Sequence, residues 1–510
     1  MFAQDIFPTS SMDKITLRTH WIYSLILQHG IVYTSSILFV LLIITVLVNV
    51  TMFNSPKFSA IYKVTKLLSF ITVSCLFIII FIKFLFGIFV FRFHGDFIST
   101  IAVNRVDFIP FFSDHMIKFN ASVLSDIILV LAFSSGMTCI ILLGEKNIAK
   151  YVSNISLFSF FYLAIVIMAY TENLLIMFVG FEFLFLPTLY FVYRQGYVQR
   201  VDKTLKVLLY WTLGGAFLVL CTLGYVYYKY KTLSFYDLRK VTFTEYEGIY
   251  IPFMIFLGFG VKVPVFPFHY WLTKIHVEAP AGFSIFLSGF LVKAAIYCLY
   301  TFNIVFESWY SNILFSAISI FGAVEASFKM WNQTDFKKLI AFATIQEMNL
   351  ILYLLINCQN SLSYALILFI LLHGWLSTLM FFLVDILQKK TNTRNIVALS
   401  GVAYNYNVIK FAIWLVIIVF SGFPLTVKFF VEWQVLSILA IQTVYFYMVS
   451  FYVILVIGAI GFAKQMFIIL YGLPRKELNV NHLLSKKDKY LLYFIFFLLI
   501  LLSLINFFLG

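Results

Sequence analysis

Charged side chains occur at a few positions inside a sequence that is otherwise almost entirely apolar. Residues 258–280, GFGVKVPVFPFHYWLTKIHVEAP, place Lys262, His269, His276 and Glu278 beside long hydrophobic runs. An ionisable group inside a membrane is costly unless it is paired, neutral or hydrated, and such groups mark proton and ion pathways. This stretch therefore indicates proton or ion transfer within a membrane.

Glu182 and Lys262 are the first pair of candidates. Glu182 lies near the middle of the apolar run 173–194, and Lys262 is comparably deep in its own run, beside Pro264 and Pro267. Desolvation favours a neutral lysine, whereas a carboxylate partner favours a charged one, so an ion pair that forms and breaks would switch proton affinity. The alternatives are a structural, protonated Glu182 and a Lys262 that extends to the interface.

Lys293 and His373 are candidates for the centre of a proton relay. Each lies well inside an apolar run, and Lys293 has no carboxylate in its own run. An unpaired lysine titrates readily between its charged and neutral forms. Histidine exchanges protons near neutral pH. A structural amine and a satisfied core histidine are the alternatives.

Weaker candidates flank these groups. Lys428 and Glu432 are four residues apart and share one helix face, so they form either a compensated pair within the helix or part of the relay. His269 is predicted to pass protons at the end of its run. For His276 and Glu278, capping and loop anchoring are an equal alternative to relay.

Composition places all these groups in a polytopic, all-α membrane protein. Of 510 residues, 62% are hydrophobic and 11% are charged, whereas roughly a quarter are charged in an ordinary soluble domain. The net charge of +14 comes from basic residues spread over short loops, which argues against nucleic acid as a partner. The five cysteines form no CxxC pair, so no metal or iron–sulfur site is expected.

Apolar runs predict about fourteen transmembrane helices. Basic loops after the odd-numbered spans place those loops on the cytoplasmic or matrix side. The predicted spans are 22–50, 66–92, 123–144, 154–170, 173–193, 207–228, 249–268, 282–303, 309–328, 338–356, 361–385, 408–435, 442–471 and 490–509.

Spans seven and twelve resemble one another. GVKVPVFPFH (260–269) and SGFPLTVKFFVEW (421–433) are both interrupted by glycine and proline and both carry a lysine. Broken helices at corresponding positions of two inverted repeats point to the site of translocation. The sequence therefore predicts two inverted five-helix repeats. The predicted regions are 1–150 (spans one to three), 151–305 (first repeat), 306–472 (second repeat) and 473–510 (basic loop and last span).

Several motifs resemble the antiporter-like membrane subunits of respiratory NADH:ubiquinone oxidoreductase (complex I). KVPVFPFHYWLTKIHVEAP (262–280), followed by a lysine in the next span, is similar to the signature of the subunit 4 family. NQTDFKKLIAFATIQEMNL (332–350), HGWLSTLMFFLVDILQKKTNTR (373–394), FEFLFLPTLYFVYR (181–194) and FPLTVKFFVEW (423–433) resemble further segments of that family. The resemblance runs from about residue 115 to 470.

The resemblance assigns roles to individual residues. It implies that Glu182 and Lys262 form the uptake-side ion pair, Lys293 and His373 the central relay, and Glu432 the terminal carboxylate. Glu347 departs from the pattern because the family usually has histidine there; it is a weaker relay candidate, since a carboxylate can also relay protons but with a different pKa, which bears on the route between spans eight and ten. Thr273 and FNASVLSD (119–126) are further departures.

The expected function is proton translocation by a core membrane subunit of mitochondrial complex I. The resemblance implies that NADH, FMN, iron–sulfur clusters and ubiquinone are bound by partner subunits and that no cofactor is bound by this chain. Expected partners are the subunit 2-like and subunit 5-like homologues and lipids of the mitochondrial inner membrane. The alternatives are a subunit of a free-standing cation/proton antiporter and a structural membrane subunit that has lost pumping.

Overall fold

The computed structural model describes most of the chain from residue 123 onward. The described residues are 105–106, 119–120, 123–143, 148–196, 201–306, 312–357, 364–441, 445–473 and 485–509. The predicted spans 22–50 and 66–92 lie outside the described residues, as do Cys75 and Cys358.

Helices account for almost all of the described chain, in agreement with the all-α prediction. Two short strands, β1 (Arg105–Val106) and β2 (Phe119–Asn120), pair antiparallel. The helices are α1 (Val123–Leu142), α2 (Ile148–Tyr170), α3 (Leu174–Phe183), α4 (Phe185–Gln195), α5 (Val201–Tyr230), α6 (Phe235–Leu238), α7 (Glu245–Gly260), α8 (Tyr270–Glu278), α9 (Ala281–Phe286), α10 (Val292–Phe306), α11 (Asn312–Met330), α12 (Phe336–Asn357), α13 (Tyr364–Thr391), α14 (Asn407–Phe420), α15 (Val427–Ile441), α16 (Tyr445–Tyr471) and α17 (Lys486–Leu509).

Eight helical segments within these described ranges are long and apolar enough to cross a membrane. The polytopic membrane protein predicted from composition is confirmed, whereas the count of about fourteen spans stays a prediction. Helix α5 begins at Val201, six residues before the predicted span 207–228, so Lys203 and Lys206 belong to its first turns. The eight segments are Leu124–Leu142, Leu174–Arg194, Val201–Tyr230, Ala281–Phe306, Ile313–Met330, Phe336–Asn357, Ala365–Thr391 and Met448–Tyr471.

Helices are interrupted at both predicted positions. Helix α7 ends at Gly260 and α8 begins at Tyr270, so the stretch that holds Lys262 is non-helical. Its two prolines supply no backbone donor for a continuous helix. Between α14 and α15, Gly422 has a φ of 64°, a left-handed conformation that glycine adopts without steric cost. The inverted relation of the two repeats and the four predicted regions stay predictions.

Three segments form the centre of the described bundle. Ala281–Phe306, Phe336–Asn357 and Ala365–Thr391 are wholly buried within their apolar windows, whereas Val201–Tyr230 is 39% buried there. A five-residue π-helical turn, Leu287–Leu291, joins α9 to α10 inside the first of them. The central segments carry Lys293, Glu347 and His373, so these groups lie within protein and away from the lipid-facing surface.

Candidate functional site

The first charged pair lies where two helices are interrupted. Lys262 follows directly after α7, and Glu182 lies in the last turn of α3, just before the irregular residue Leu184. The Lys262 ammonium donates a hydrogen bond to Glu182 Oε1. The rings of Phe181 and Phe185 lie 4.6 and 4.7 Å from the Lys262 nitrogen and stabilise its charge further. The predicted pairing of Glu182 with Lys262 therefore exists in the structure.

Lys293 is the second residue of α10, directly after the π-helical turn Leu287–Leu291. Its ammonium donates to the carbonyl of Ser288, five residues earlier and inside that turn. A π-turn displaces carbonyls from the regular helical ladder, which leaves one available to a side chain. Ser288 Oγ also lies 2.9 Å from Thr344 Oγ1, which connects this point to α12. Lys293 is completely buried, as the sequence predicted for a central group.

Lys428 lies between two carboxylates. Its Nζ is 2.6 Å from Glu347 Oε1 on α12 and 3.8 Å from Glu432 Oε1 on its own helix, α15. It also donates to the carbonyl of Phe420, 2.6 Å away, which the interruption before α15 leaves free. The sequence predicted Glu432 as the partner of Lys428, but the closer carboxylate is Glu347. The predicted pair within the helix therefore exists, and Glu347 is an additional partner that local spacing could not indicate, because a contact between α12 and α15 joins distant parts of the sequence.

His373 is within electrostatic range of two buried lysines. It is buried on α13, and the charges of Lys293 and Lys428 both act on it. Its Nδ1 has no hydrogen-bond partner among the described residues. The electrostatic field of Glu347 in turn acts on Lys293. We call this set of titratable groups the charge row: Glu182, Lys262, Lys293, His373, Glu347, Lys428 and Glu432.

The two histidines around α8 have different surroundings. His269, immediately before the helix, has its Nε2 3.5 Å from Glu325 Oε2 on α11. His276 is fully buried and stacks on Phe381 with 4.5 Å between ring centroids. Neither ring nitrogen of His276 has a hydrogen-bond partner in the described part of the chain, so the capping role considered for it is wrong.

Sequence reasoning did not single out Glu325. The signal was present, because Glu325 and Lys329 are four residues apart in the order that favours a helical ion pair. They form that pair in the structure.

Cationic side chains hold the C-terminal end of α8. The Lys337 ammonium donates to the carbonyl of Ala279 at 2.7 Å, and Arg394 Nη1 donates to the carbonyl of Val277 at 2.6 Å. Arg394 Nε is also 2.8 Å from Asp335 Oδ2. The last carbonyls of a helix lack partners within the helix and carry partial negative charge, which these cations neutralise. Three separate sequence motifs therefore meet at one helix end.

The side chains of the charge row are groups that can donate and accept protons. Within the described ranges, no three His, Cys, Asp or Glu side chains lie close enough together to hold a metal ion. The charge row contains carboxylates, ammonium groups and an imidazole, and ion pairs join Lys262 to Glu182 and Lys428 to Glu347 and Glu432. Such an arrangement can accept a proton at one end and release one at the other.

These features define an integral membrane protein with broken helices and a buried row of titratable groups. The family model described as NADH:quinone oxidoreductase/Mrp antiporter, TM, matches residues 171–458. The chain belongs to this family, as its motifs predicted. The matched segment contains every member of the charge row.

Proteins related to the chain carry consistent names. NADH-ubiquinone oxidoreductase chain 4 of Paramecium tetraurelia is 32% identical over 402 residues, which cover 78% of this chain and 84% of that one. The protein of the same name from Rhipicephalus sanguineus is 30% identical, and the alignment covers 51% of this chain and 59% of that one. NADH-quinone oxidoreductase subunit M of Rickettsia felis is 28% identical, with 64% and 67% covered.

Solved structures share the fold. A chain of an archaeal respiratory membrane complex, the membrane-bound sulfane sulfur reductase, superposes with a TM-score of 0.76 at 16% identity. The superposition covers 92% of this chain and 94% of that chain. A chain of respiratory complex I from Thermus thermophilus gives a TM-score of 0.72 at 15% identity, covering 92% and 97%. At sequence identities this low, the superpositions show that the fold is shared and nothing about function.

Proposed function

We propose that the chain is a proton-translocating membrane subunit of a respiratory NADH:ubiquinone oxidoreductase, the counterpart of the chain 4 proteins. The observation that carries the proposal is the charge row, which has members in the buried centre of the bundle and at both helix breaks. Buried charges are expensive, and a chain that needed only to span the membrane would have no use for them.

The mechanism follows from the pairs within the row. When the Glu182–Lys262 pair opens, Lys262 loses the partner that stabilises its charge and can release a proton inward. Lys293 and His373 carry the proton across the centre, and Lys428 exchanges its contacts between Glu347 and Glu432. Moving a proton against a membrane potential costs about 2.3 kcal/mol per 100 mV, comparable to a change of roughly two pKa units. Rearranged pairs can supply changes of that size.

Redox chemistry belongs to partner subunits in this proposal. NADH, FMN, iron–sulfur clusters and ubiquinone are bound there, and the chain responds through its charge pairs. The neighbours are subunit 2-like and subunit 5-like homologues, and the location is the mitochondrial inner membrane. The location is supported by the eukaryotic relatives that are named NADH-ubiquinone oxidoreductase chain 4. A free-standing cation/proton antiporter is the second candidate, because the family description covers both kinds of protein.

Removal of Lys262 tests the proposal. In sealed membranes that contain the assembled complex, Lys262→Ala is expected to reduce NADH-driven proton pumping by about tenfold or more, a loss typical for one proton-transfer group. Pumping is measured with a pH-sensitive dye and NADH oxidation by absorbance. Lys389→Ala is the matched control, because Lys389 is a surface lysine whose side chain is 59% exposed. Unchanged pumping per NADH oxidised in Lys262→Ala would refute the proposal.

A further inference from the structure

Glu325 joins the protein surface to a buried histidine. It lies on α11, near the end that the basic loops predict to face the cytoplasm or matrix, and its side chain is 25% exposed. One oxygen, Oε1, accepts a hydrogen bond from Lys329, which is 38% exposed. The other oxygen, Oε2, is buried, forms no hydrogen bond, and lies 3.5 Å from His269 Nε2. The carboxylate thus has one oxygen toward the surface and one toward the interior.

His269 continues the path into the break between α7 and α8. It is 5% exposed and occupies the last position before α8, in the same non-helical stretch as Lys262. Its Nδ1 has no hydrogen-bond partner in the described part of the chain. The charged side chains that act on His269 there are Glu325 and Lys329, both from α11. One ring nitrogen therefore faces the surface carboxylate while the other is available for onward transfer.

Asn349 on α12 contacts both α11 and the non-helical stretch that holds Lys262. Its Nδ2 donates a hydrogen bond of 3.2 Å to the carbonyl of Pro264. Pro264 follows Lys262 by two residues. Its Oδ1 is buried without a hydrogen-bond partner and faces Gly322, one turn before Glu325 on α11. Buried polar atoms without partners are uncommon and call for a functional explanation. Two such atoms, on Glu325 and Asn349, lie along the same side of α11.

We infer that Glu325 is the proton inlet to the charge row, an inference that rests on the proposed function. A proton from water on the basic side binds the Glu325 carboxylate, which releases Lys329. The carboxylic acid then gives that proton to Nε2 of His269, restoring the carboxylate and forming an imidazolium. Loss of the Nδ1 proton toward the break returns His269 to its neutral form and delivers one proton to the Glu182–Lys262 pair.

Opposite changes in pH dependence distinguish the inlet from a structural ion pair. Glu325→Gln removes the charge that favours a protonated His269, so we expect pumping to slow by about threefold or more and to decline at a pH about one unit lower. Lys329→Met removes a competing cation, so the decline should move to higher pH. Glu325→Asp should retain most pumping. The experiment uses sealed membranes with the assembled complex, and pumping is measured from pH 6 to 9, about the range in which histidine titrates.

Two further variants separate the inlet from the function on which it rests. Glu245→Gln, at an exposed carboxylate at the start of α7, is the control and should pump normally. If Glu325→Gln matches that control while Lys262→Ala abolishes pumping, the inlet is refuted and the proposed function stands. If Lys262→Ala also pumps normally, the proposed function fails. If Glu325→Gln only reduces assembly and the pH profiles of both α11 variants are unchanged, Glu325 is structural and the inference is overturned.

Discussion

At the scale of single residues, the contact between Glu347 and Lys428 pairs two charges inside the bundle. Glu347 is buried, so its carboxylate alone would be a net charge without compensation. Lys428 supplies that compensation at 2.6 Å, and both side chains are at most 3% exposed. With Glu432 nearby, two carboxylates share one ammonium, so the formal charges of the cluster sum to −1.

Replacement of Lys428 should expose the cost of this cluster. Lys428→Met leaves Glu347 and Glu432 buried without a cation, and breaking a buried ion pair costs about 3–5 kcal/mol. We expect lower thermal stability of the complex and loss of pumping. Thermal inactivation of NADH oxidation and proton pumping are the two measurements.

A double variant provides the control. Glu347→Gln together with Lys428→Met removes both charges, so it should recover much of the stability while pumping remains impaired. A double variant as unstable as Lys428→Met would show that the pair is not what stabilises this region.

The sequence predicted the members of the charge row more reliably than their partners. Glu182, Lys262, Lys293 and His373 stand out because each interrupts an apolar run. The pairing of Lys428 with Glu347 and the contact of Glu325 with His269 do not, because each joins helices that are distant in sequence. The members can be read from local composition, whereas such contacts require knowledge of how the helices pack.

At the scale of elements, the short helix α8 depends on its cationic end contacts. It has nine residues and follows directly on a non-helical stretch, so it gains little stability from its own length. Lys337 and Arg394 hold its last carbonyls from α12 and from the segment after α13. The position of His269 at the start of α8 is thereby fixed from the opposite end of the helix.

Arg394→Met should loosen α8 without removing a titratable group from the charge row. The carbonyl of Val277 would lose a charged donor, which is worth about 1.5–3 kcal/mol. We expect faster amide hydrogen exchange in residues 275–280, measured by mass spectrometry of the assembled complex. Lys338→Met is the matched control, because Lys338 is exposed and adjacent to the buried Lys337. Equal exchange in the two variants would contradict the role of Arg394.

Helix breaks were predictable where chemistry marks them. Proline and glycine in spans seven and twelve predicted both interruptions because they remove donors or adopt left-handed backbone. The π-turn at Leu287–Leu291 was not predictable in this way, since its residues, LSGFL, are compatible with an ordinary helix. It becomes understandable only with Lys293 bound to the carbonyl that the turn presents.

At the scale of the whole molecule, association decides between the two candidate functions. The chain should comigrate with NADH-oxidising activity when mildly solubilised membranes are separated on a native gel and the band is analysed by mass spectrometry. A complex I subunit requires this because it is held by neighbouring subunits, whereas an antiporter subunit would migrate in a smaller band without dehydrogenase subunits. The latter result would favour the antiporter.

The burial pattern of the central segments has a consequence for how the molecule communicates with its surroundings. Lys293, Glu347 and His373 are surrounded on all sides by other helices of the same chain. The two ends of the charge row are less enclosed, since the side chains of Glu182 and Glu432 are 26% and 15% exposed. Of the members of the charge row, Glu182 and Glu432 are therefore the ones that a neighbouring subunit can touch directly, because the groups between them are at most 3% exposed.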